Sequence, residues 1–125
     1  MLLDFGTIDE TKIYKVMSYS IFPRPIAWIV TEDEGIVNIA PFSYFAPLSS
    51  NPPIVVVSIG LKEDESPKDT RANILKHKKA TICLVEKEFL EKLTASSEEL
   101  PHEESEAEKF AIDTHTIKAG FPPAI

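Results

Sequence analysis

The segment SPKDTRAN (66–73) combines cationic and polar side chains with the pattern of a helix start. Ser66 followed by Pro67 predicts a helix that continues to about Lys78. The first turn of a helix carries unpaired amides and the positive end of the helix dipole, which together favour a phosphate. The polar side chains that would surround such an anion are Lys68, Thr70, Arg71 and Asn73. An ordinary capped surface helix explains the same residues, so both interpretations stay open.

The segment NIAPFSYFAPLSSNPP (38–53) could hold a flat ring. Its aromatic residues alternate with serines, and its prolines keep backbone amides and carbonyls out of regular ladders. Such a segment can offer free backbone donors beside apolar surface, although a strand and turn whose serines cap chain reversals has the same composition. Taken with a phosphate site at 66–73, it suits a ligand with a planar ring at one end and a phosphate at the other, as in FMN.

Several common functional motifs are absent from the sequence. It contains no GxGxxG, Walker or HExxH pattern and only four glycines, which disfavours the classical nucleotide folds. Its three histidines lack the spacing that places two imidazoles on one helix face, so we predict no metal site. Cys83 lies in an apolar strand pattern without a nearby cation, which indicates packing rather than a nucleophile.

The composition predicts one globular domain spanning residues 1–125. Hydrophobic residues make up 43% and charged residues 26% of the chain, and no apolar run is long enough to cross a bilayer. The net charge of -7 disfavours nucleic acid as a partner. A single cysteine and an acidic N-terminus without a secretory signal pattern predict a cytoplasmic protein, and we expect no membrane partner.

Hydrophobic periodicity predicts helices and strands that form an α+β, mainly β, domain on an antiparallel sheet or small barrel. The run IVVVSIG (54–60) is almost wholly apolar, so we expect it to be the buried centre of the sheet. Pro41 should mark a bulge or bend, with residues 42–45 continuing the strand beyond it. The predicted strands are 26–31, 36–40, 54–60 and 80–86, with a further candidate at THTIKA (114–119). The predicted helices are 9–18, with Thr7 and Glu10 as a capping box, 66–78, 88–97 and 103–111.

Four motifs in order resemble the flavin reductase-like family, whose fold is the FMN-binding split barrel. They are PRPIAW, NIAPFSYF, SSNPP and KDTRAN, and they extend over about half of the chain. The resemblance implies a Greek-key-like antiparallel barrel with flanking helices. It further implies that Ser43, Tyr44, Phe45 and Ala46 contact the isoalloxazine, that Ser49, Ser50, Ser58, Lys68, Asp69, Thr70 and Asn73 surround the ribityl chain and phosphate, and that Arg24 is a further contact.

The resemblance implies an oxidoreductase that transfers hydride from NADH or NADPH to FMN. An FMN-binding module or electron carrier that needs a partner for activity is the alternative. Members of the family usually continue with further strands, so the sequence predicts a barrel that is short at its C-terminus. Since open strand edges favour pairing with a second copy, we expect a homodimer. Strand alternation predicts that Ser43 and Phe45 face the flavin while Phe42 and Tyr44 face the core.

Overall fold

The computed structural model describes residues 2–125 and shows a mixed α/β domain with antiparallel sheets, as predicted. The elements follow one another as hairpins first and helices later. They are α1 (Glu10–Ser20), β1 (Ala27–Asp33), β2 (Ile36–Phe42), β3 (Phe45–Ser50), β4 (Pro53–Val57), α2 (Asp69–His77), β5 (Thr81–Cys83), a 3-10 helix (Lys87–Phe89), α3 (Leu90–Ala95) and α4 (Glu106–Lys109).

The strand β1 is the centre of the larger sheet, whose order is β2-β1-β5. Its first five residues are all buried, because the sheet has packed side chains on both of its faces. Trp28 and Val30 pack with Ile39 on one face, and Ala27 and Ile29 form a second cluster on the other. This division follows from the period of two in a strand. The run 26–31 was predicted as a strand, and the structure confirms it.

The prediction that 54–60 forms the centre of the sheet is wrong. These residues contribute β4, which pairs only with β3 in a separate sheet of two strands among residues 2–125. The side chains of Ile54, Val55 and Val56 are 42 to 50% exposed. An apolar run of this length indicates a surface that can be buried, but it does not specify which neighbour covers it.

Pro41 does not mark a bulge. The β1–β2 register runs without interruption through the pair Trp28 and Pro41 to the pair Ala27 and Phe42. Because β2 is an edge strand, a proline there removes no ladder hydrogen bond that the sheet needs. The register shift lies instead in the smaller sheet, between Pro47 and Ser49.

The helices are present but begin or end at other residues than predicted. Asp9, not Thr7, caps α1, and its carboxylate accepts a hydrogen bond from the amide of Thr11. The helix α2 begins at Asp69 because Ser66 and Pro67 belong to the preceding loop, where Pro67 bridges Leu61. The two later helices, α3 and α4, are shorter than predicted. The candidate strand at 114–119 forms only a bridge between His115 and Ala124. None of the helices formed by residues 2–125 has both the length and the apolar character needed to cross a membrane.

Candidate functional site

A cavity of about 450 Å³ lies between the turn after β2, the end of β4 and the start of α2. We call it the main cavity. Its volume is in the range of pockets that bind cofactors and other small molecules. Both segments singled out in the sequence contribute to it. The lining residues that matter below are Tyr14, Ser43, Tyr44, Ser58, Lys68 and Ser97.

The wall of the main cavity at 43–44 is a break between two strands. The strand β2 ends at Phe42 and β3 begins at Phe45, and the amide of Ser58 donates a 2.9 Å hydrogen bond to the carbonyl of Tyr44. Phe42 is buried against Ala27, and Phe45 packs against the same cluster. The prediction that these two side chains lie on opposite faces is therefore wrong, because the alternation stops where the strand is interrupted.

Tyr44 separates the main cavity from a second, more apolar cavity of about 430 Å³, which we call the side cavity. The ring of Tyr44 stacks on that of Tyr14, with centroids 6.2 Å apart and planes 7° apart. Its hydroxyl lies 3.1 Å from Oγ of Ser18. The residues of α1 thus hold Tyr44 in one orientation.

Arg24 lines the side cavity together with Phe45 and Ala46. Its guanidinium lies 5.3 Å from the ring centroid of Tyr44, a cation–π contact, and donates to the carbonyl of Ser18 at 2.6 Å. The buried Nε of Arg24 has no hydrogen-bond partner within residues 2–125. Arg24 therefore packs against the Tyr44 ring, and its Nε–H is a donor without a partner in the described residues.

The opposite end of the main cavity is formed by the N-terminus of α2. Lys68 is the N-cap residue, and no side chain of the described part of the chain caps this helix. A small pocket of about 40 Å³, which we call the anion pocket after Lys68 and the helix start, continues from the main cavity past Lys68 to Asp69 and Thr70. Its lining also includes the acidic residues Glu98, Glu99 and Glu106. The uncapped amides and the ammonium of Lys68 are a donor set that fits a phosphate.

Thr70 and Asn73 lie behind this pocket in a buried polar network. The side-chain Nδ2 of Asn38 donates to Oγ1 of Thr70 at 2.8 Å and to Oγ1 of Thr31 at 3.3 Å. Asn73 Nδ2 donates to the same Thr31 oxygen at 3.1 Å. Because buried polar groups without partners are costly, this network holds α2 at a fixed position on β1 and β2.

Of the twelve predicted contact residues, Ser43, Tyr44, Ser58 and Lys68 line the main cavity. Ser49, Ser50 and Asn73 line none of the three cavities described above. Ser49 pairs with Ile54 and Ser50 with Pro53, at the far end of the β3–β4 hairpin.

Glu106, which lines the anion pocket, and Asp33 at the end of β1 both have shifted pKa values. Burial raises the pKa of Glu106, although its carboxylate accepts a 2.9 Å hydrogen bond from the amide of Ile39. At the end of β1, hydrogen bonds from Lys76 and then His77 lower the pKa of Asp33 to about 2. Residues 2–125 bring together no group of three or more His, Cys, Asp or Glu side chains that could hold a metal ion.

Sequence reasoning missed the contributions of Tyr14 and of the segment 96–100. Tyr14 reaches the cavity from α1, and Ser97 reaches it from the loop after α3. Neither segment carries a motif, and both are brought to the cavity only by long-range packing. The acidic character of 96–100 was visible in the sequence, but its position beside Lys68 was not.

A match to a known family model shows to which family the chain belongs. The model of the flavin reductase like domain matches residues 17–124, which is most of the chain. The chain belongs to this family. The match includes every segment that lines the main cavity except the part of α1 that carries Tyr14.

Curated proteins from bacteria support the assignment to this family. An uncharacterized protein of Aquifex aeolicus is 36% identical over 118 residues, which is 94% of this chain and 60% of that protein. The YwrF protein of Bacillus subtilis is 31% identical over 113 residues, 90% of this chain and 55% of that protein. The chain thus spans between half and two thirds of the length of these relatives.

Solved structures share the same architecture. Nitrilotriacetate monooxygenase component B from Bacillus cereus superposes with a TM-score of 0.90 at 27% identity, over 99% of this chain and 61% of that one. The 2-nitrobenzoate 2-nitroreductase NbaA of Pseudomonas fluorescens gives a TM-score of 0.87 at 25% identity, over all of this chain and 59% of that one. A Shewanella frigidimarina protein with a split barrel domain gives 0.78 at 22% identity, over 99% of this chain and 62% of that one, a likeness of fold alone. The chain therefore has the fold of these structures over a little more than half of their length.

Proposed function

We propose that this chain binds FMN in the main cavity and forms part of an NAD(P)H-dependent flavin oxidoreductase. The observation that carries the proposal is the convergence of two distant segments on one cavity, with Ser43 and Tyr44 at one end and Lys68 at the uncapped start of α2 at the other. A ligand with a ring and a phosphate needs these two kinds of surface at opposite ends.

At the ring end, the chain supplies hydrogen-bonding groups from the break between β2 and β3. Within residues 2–125 no other side chain bonds to the Ser43 hydroxyl, which leaves it available to the polar edge of an isoalloxazine. The Tyr44 ring, held by Tyr14 and Arg24, gives the cavity a rigid aromatic wall. Phe45 and Ala46 would contribute through their backbone and through the side cavity behind that wall.

At the phosphate end, Lys68 and the first amides of α2 would bind the anion. Asp69 turns its carboxylate to Lys62 at 2.9 Å, and Ser58 lines the path between the two ends. Thr70 and Asn73 would act indirectly, by holding α2 on the sheet through their hydrogen bonds. Ser49 and Ser50 would reach the flavin only from a hairpin displaced from its present position.

When bound, the flavin supplies the redox chemistry, and the protein positions it and sets the charge around it. Reduced nicotinamide, NADH or NADPH, would be the hydride donor. Tyr14 lines the main cavity and is 65% exposed, so a nicotinamide ring could approach the cavity beside it. An FMN-binding module without its own turnover would present the same cavity, so reduction by NAD(P)H separates the two functions.

We further propose that the functional form is a homodimer. The β3–β4 hairpin carries Leu48, Ile54, Val55 and Val56, each at least 42% exposed. Because neighbouring residues of a strand point to opposite faces, these apolar side chains are exposed on both sides of the hairpin. Exposed apolar side chains of this kind favour association. Light scattering at micromolar concentration tests this, since a monomeric mass would contradict it.

The proposed function is tested by titrating FMN and riboflavin into the flavin-free protein and following flavin fluorescence. FMN should bind more tightly than riboflavin, and Lys68→Ala should weaken FMN by about 1 to 3 kcal/mol, as for a lost charge-assisted hydrogen bond. Lys87→Ala removes a similar charge from the 3-10 helix and should leave both affinities unchanged. Anaerobic addition of NADPH or NADH should then bleach the bound flavin. Equal affinities for FMN and riboflavin would contradict the phosphate site.

A further inference from the structure

The ammonium of Lys68 already has an anionic partner. Its Nζ lies 2.9 Å from Oε1 of Glu99, and the two side chains are 32 and 38% exposed. The same ammonium lines both the main cavity and the anion pocket. Glu99 therefore places a carboxylate where the proposed function requires a phosphate oxygen.

Glu99 belongs to a short exposed stretch between two buried residues. Ser96 is buried, and its Oγ accepts a 2.9 Å hydrogen bond from Nε1 of Trp28. Leu100 is buried at the other end, whereas residues 97–99 are exposed. The backbone of this stretch is held at both ends, so the Glu99 side chain can turn into solvent without any larger rearrangement.

The other acidic side chains of the anion pocket have different partners. Asp69 pairs with Lys62 at 2.9 Å, and Glu98 pairs with Lys109 at 3.0 Å. Glu106 accepts a hydrogen bond from the backbone of β2. In the described part of the chain, Lys68 is the cation that Glu99 contacts within 4.0 Å. The competition for this ammonium is therefore between Glu99 and an incoming anion.

We propose that Glu99 is a resident carboxylate that competes with the flavin phosphate for Lys68 and so sets the discrimination between FMN and riboflavin. This inference rests on the proposed function. An ion pair with partners about one third exposed contributes little stability, so a phosphate with its larger charge displaces the carboxylate at small cost. The displaced carboxylate stays nearby and repels the phosphate, which lowers FMN affinity without affecting riboflavin.

The test is Glu99→Gln, with the dissociation constants of FMN and riboflavin measured at low and high salt. FMN should bind about 3- to 10-fold more tightly than to the unchanged protein, as expected for removing one like charge near the phosphate, and riboflavin should be unaffected. The gain should shrink as salt screens the charges. Glu88→Gln removes an equal charge from the exposed 3-10 helix and should change neither affinity.

A second measurement uses inorganic phosphate alone. Phosphate should raise the melting temperature of Glu99→Gln more than that of the unchanged protein, and the difference should disappear when Lys68→Ala is added to both. The inference is overturned if Glu99→Gln leaves the ratio of FMN to riboflavin affinity unchanged while the unchanged protein still prefers FMN. If the unchanged protein shows no such preference, the proposed function itself fails.

Discussion

Substitution of Phe42 should mainly lower stability, whereas substitution of its neighbour Ser43 should mainly lower FMN affinity. Phe42 is 9% exposed and packs with Ala27 and Ile29, whereas Ser43 is half-buried and lines the main cavity. Replacing a buried phenylalanine by alanine costs about 3 to 5 kcal/mol, and we expect the lower end because one side of Phe42 borders the cavity. For a domain of this size, about 3 kcal/mol lowers the melting temperature by roughly 10 °C.

Ser43→Ala removes one hydroxyl that makes no side-chain hydrogen bond among residues 2–125. Its flavin-free form should therefore melt within about 2 °C of the unchanged protein, since removing an unbonded hydroxyl from a half-buried cavity wall leaves no buried partner unpaired and should cost less than about 0.5 kcal/mol. Its affinity for FMN should fall about 2- to 10-fold, the loss of one ordinary hydrogen bond.

The assays are thermal melts by circular dichroism for the flavin-free variants and fluorescence titration for FMN. A large loss of melting temperature in Ser43→Ala with unchanged FMN affinity would refute this reasoning, because the break between β2 and β3 would then belong to the core.

Three further predictions concern charge and burial. Asp33→Asn should make stability fall less steeply between pH 3.8 and about 2. The lowered pKa of Asp33 stabilises the folded protein at pH values above 3.8, and this contribution disappears as pH falls to about 2. Acid titration followed by circular dichroism measures the difference. Glu106→Gln keeps an acceptor for the backbone amide but cannot ionise. Because burial raises the pKa of Glu106 in the folded protein, the unchanged protein loses stability as pH rises above 4.5, and the variant does not. Urea unfolding should therefore show the variant gaining stability relative to the unchanged protein from pH 4 to pH 8. Ser96→Ala leaves the buried indole N–H of Trp28 without its partner, and urea unfolding should show a loss of about 1 to 3 kcal/mol.

The positions of the strands were predicted from the sequence better than the pairing between strands was. The strand at 26–31 is rich in apolar and β-branched residues, and the strand itself was predicted on that basis, but its central, doubly buried position was not. The run 54–60 has the same character, yet β4 lies in the smaller sheet with its side chains partly exposed. Local pattern specifies that a strand forms, but pairing depends on contacts distant in sequence, which composition does not encode.

The candidate site was predictable where it depends on local chemistry. Lys68 and the start of α2 followed from residue types near a helix N-terminus, although the helix begins at Asp69 rather than at Pro67 because the loop bridge at Leu61 holds Pro67. The face that Phe45 adopts could not be predicted, because the break after Phe42 resets the alternation. The approach of Glu99 to Lys68, thirty-one residues apart, is likewise a product of the tertiary fold.

The most direct test of the central claim is a crystal structure of the chain with FMN. The isoalloxazine should lie in the main cavity against Ser43 and Tyr44, with the phosphate within hydrogen-bonding distance of Lys68 and the first amides of α2. Flavin bound in the side cavity beside Arg24, or a phosphate pointing away from α2 into solvent, would contradict it.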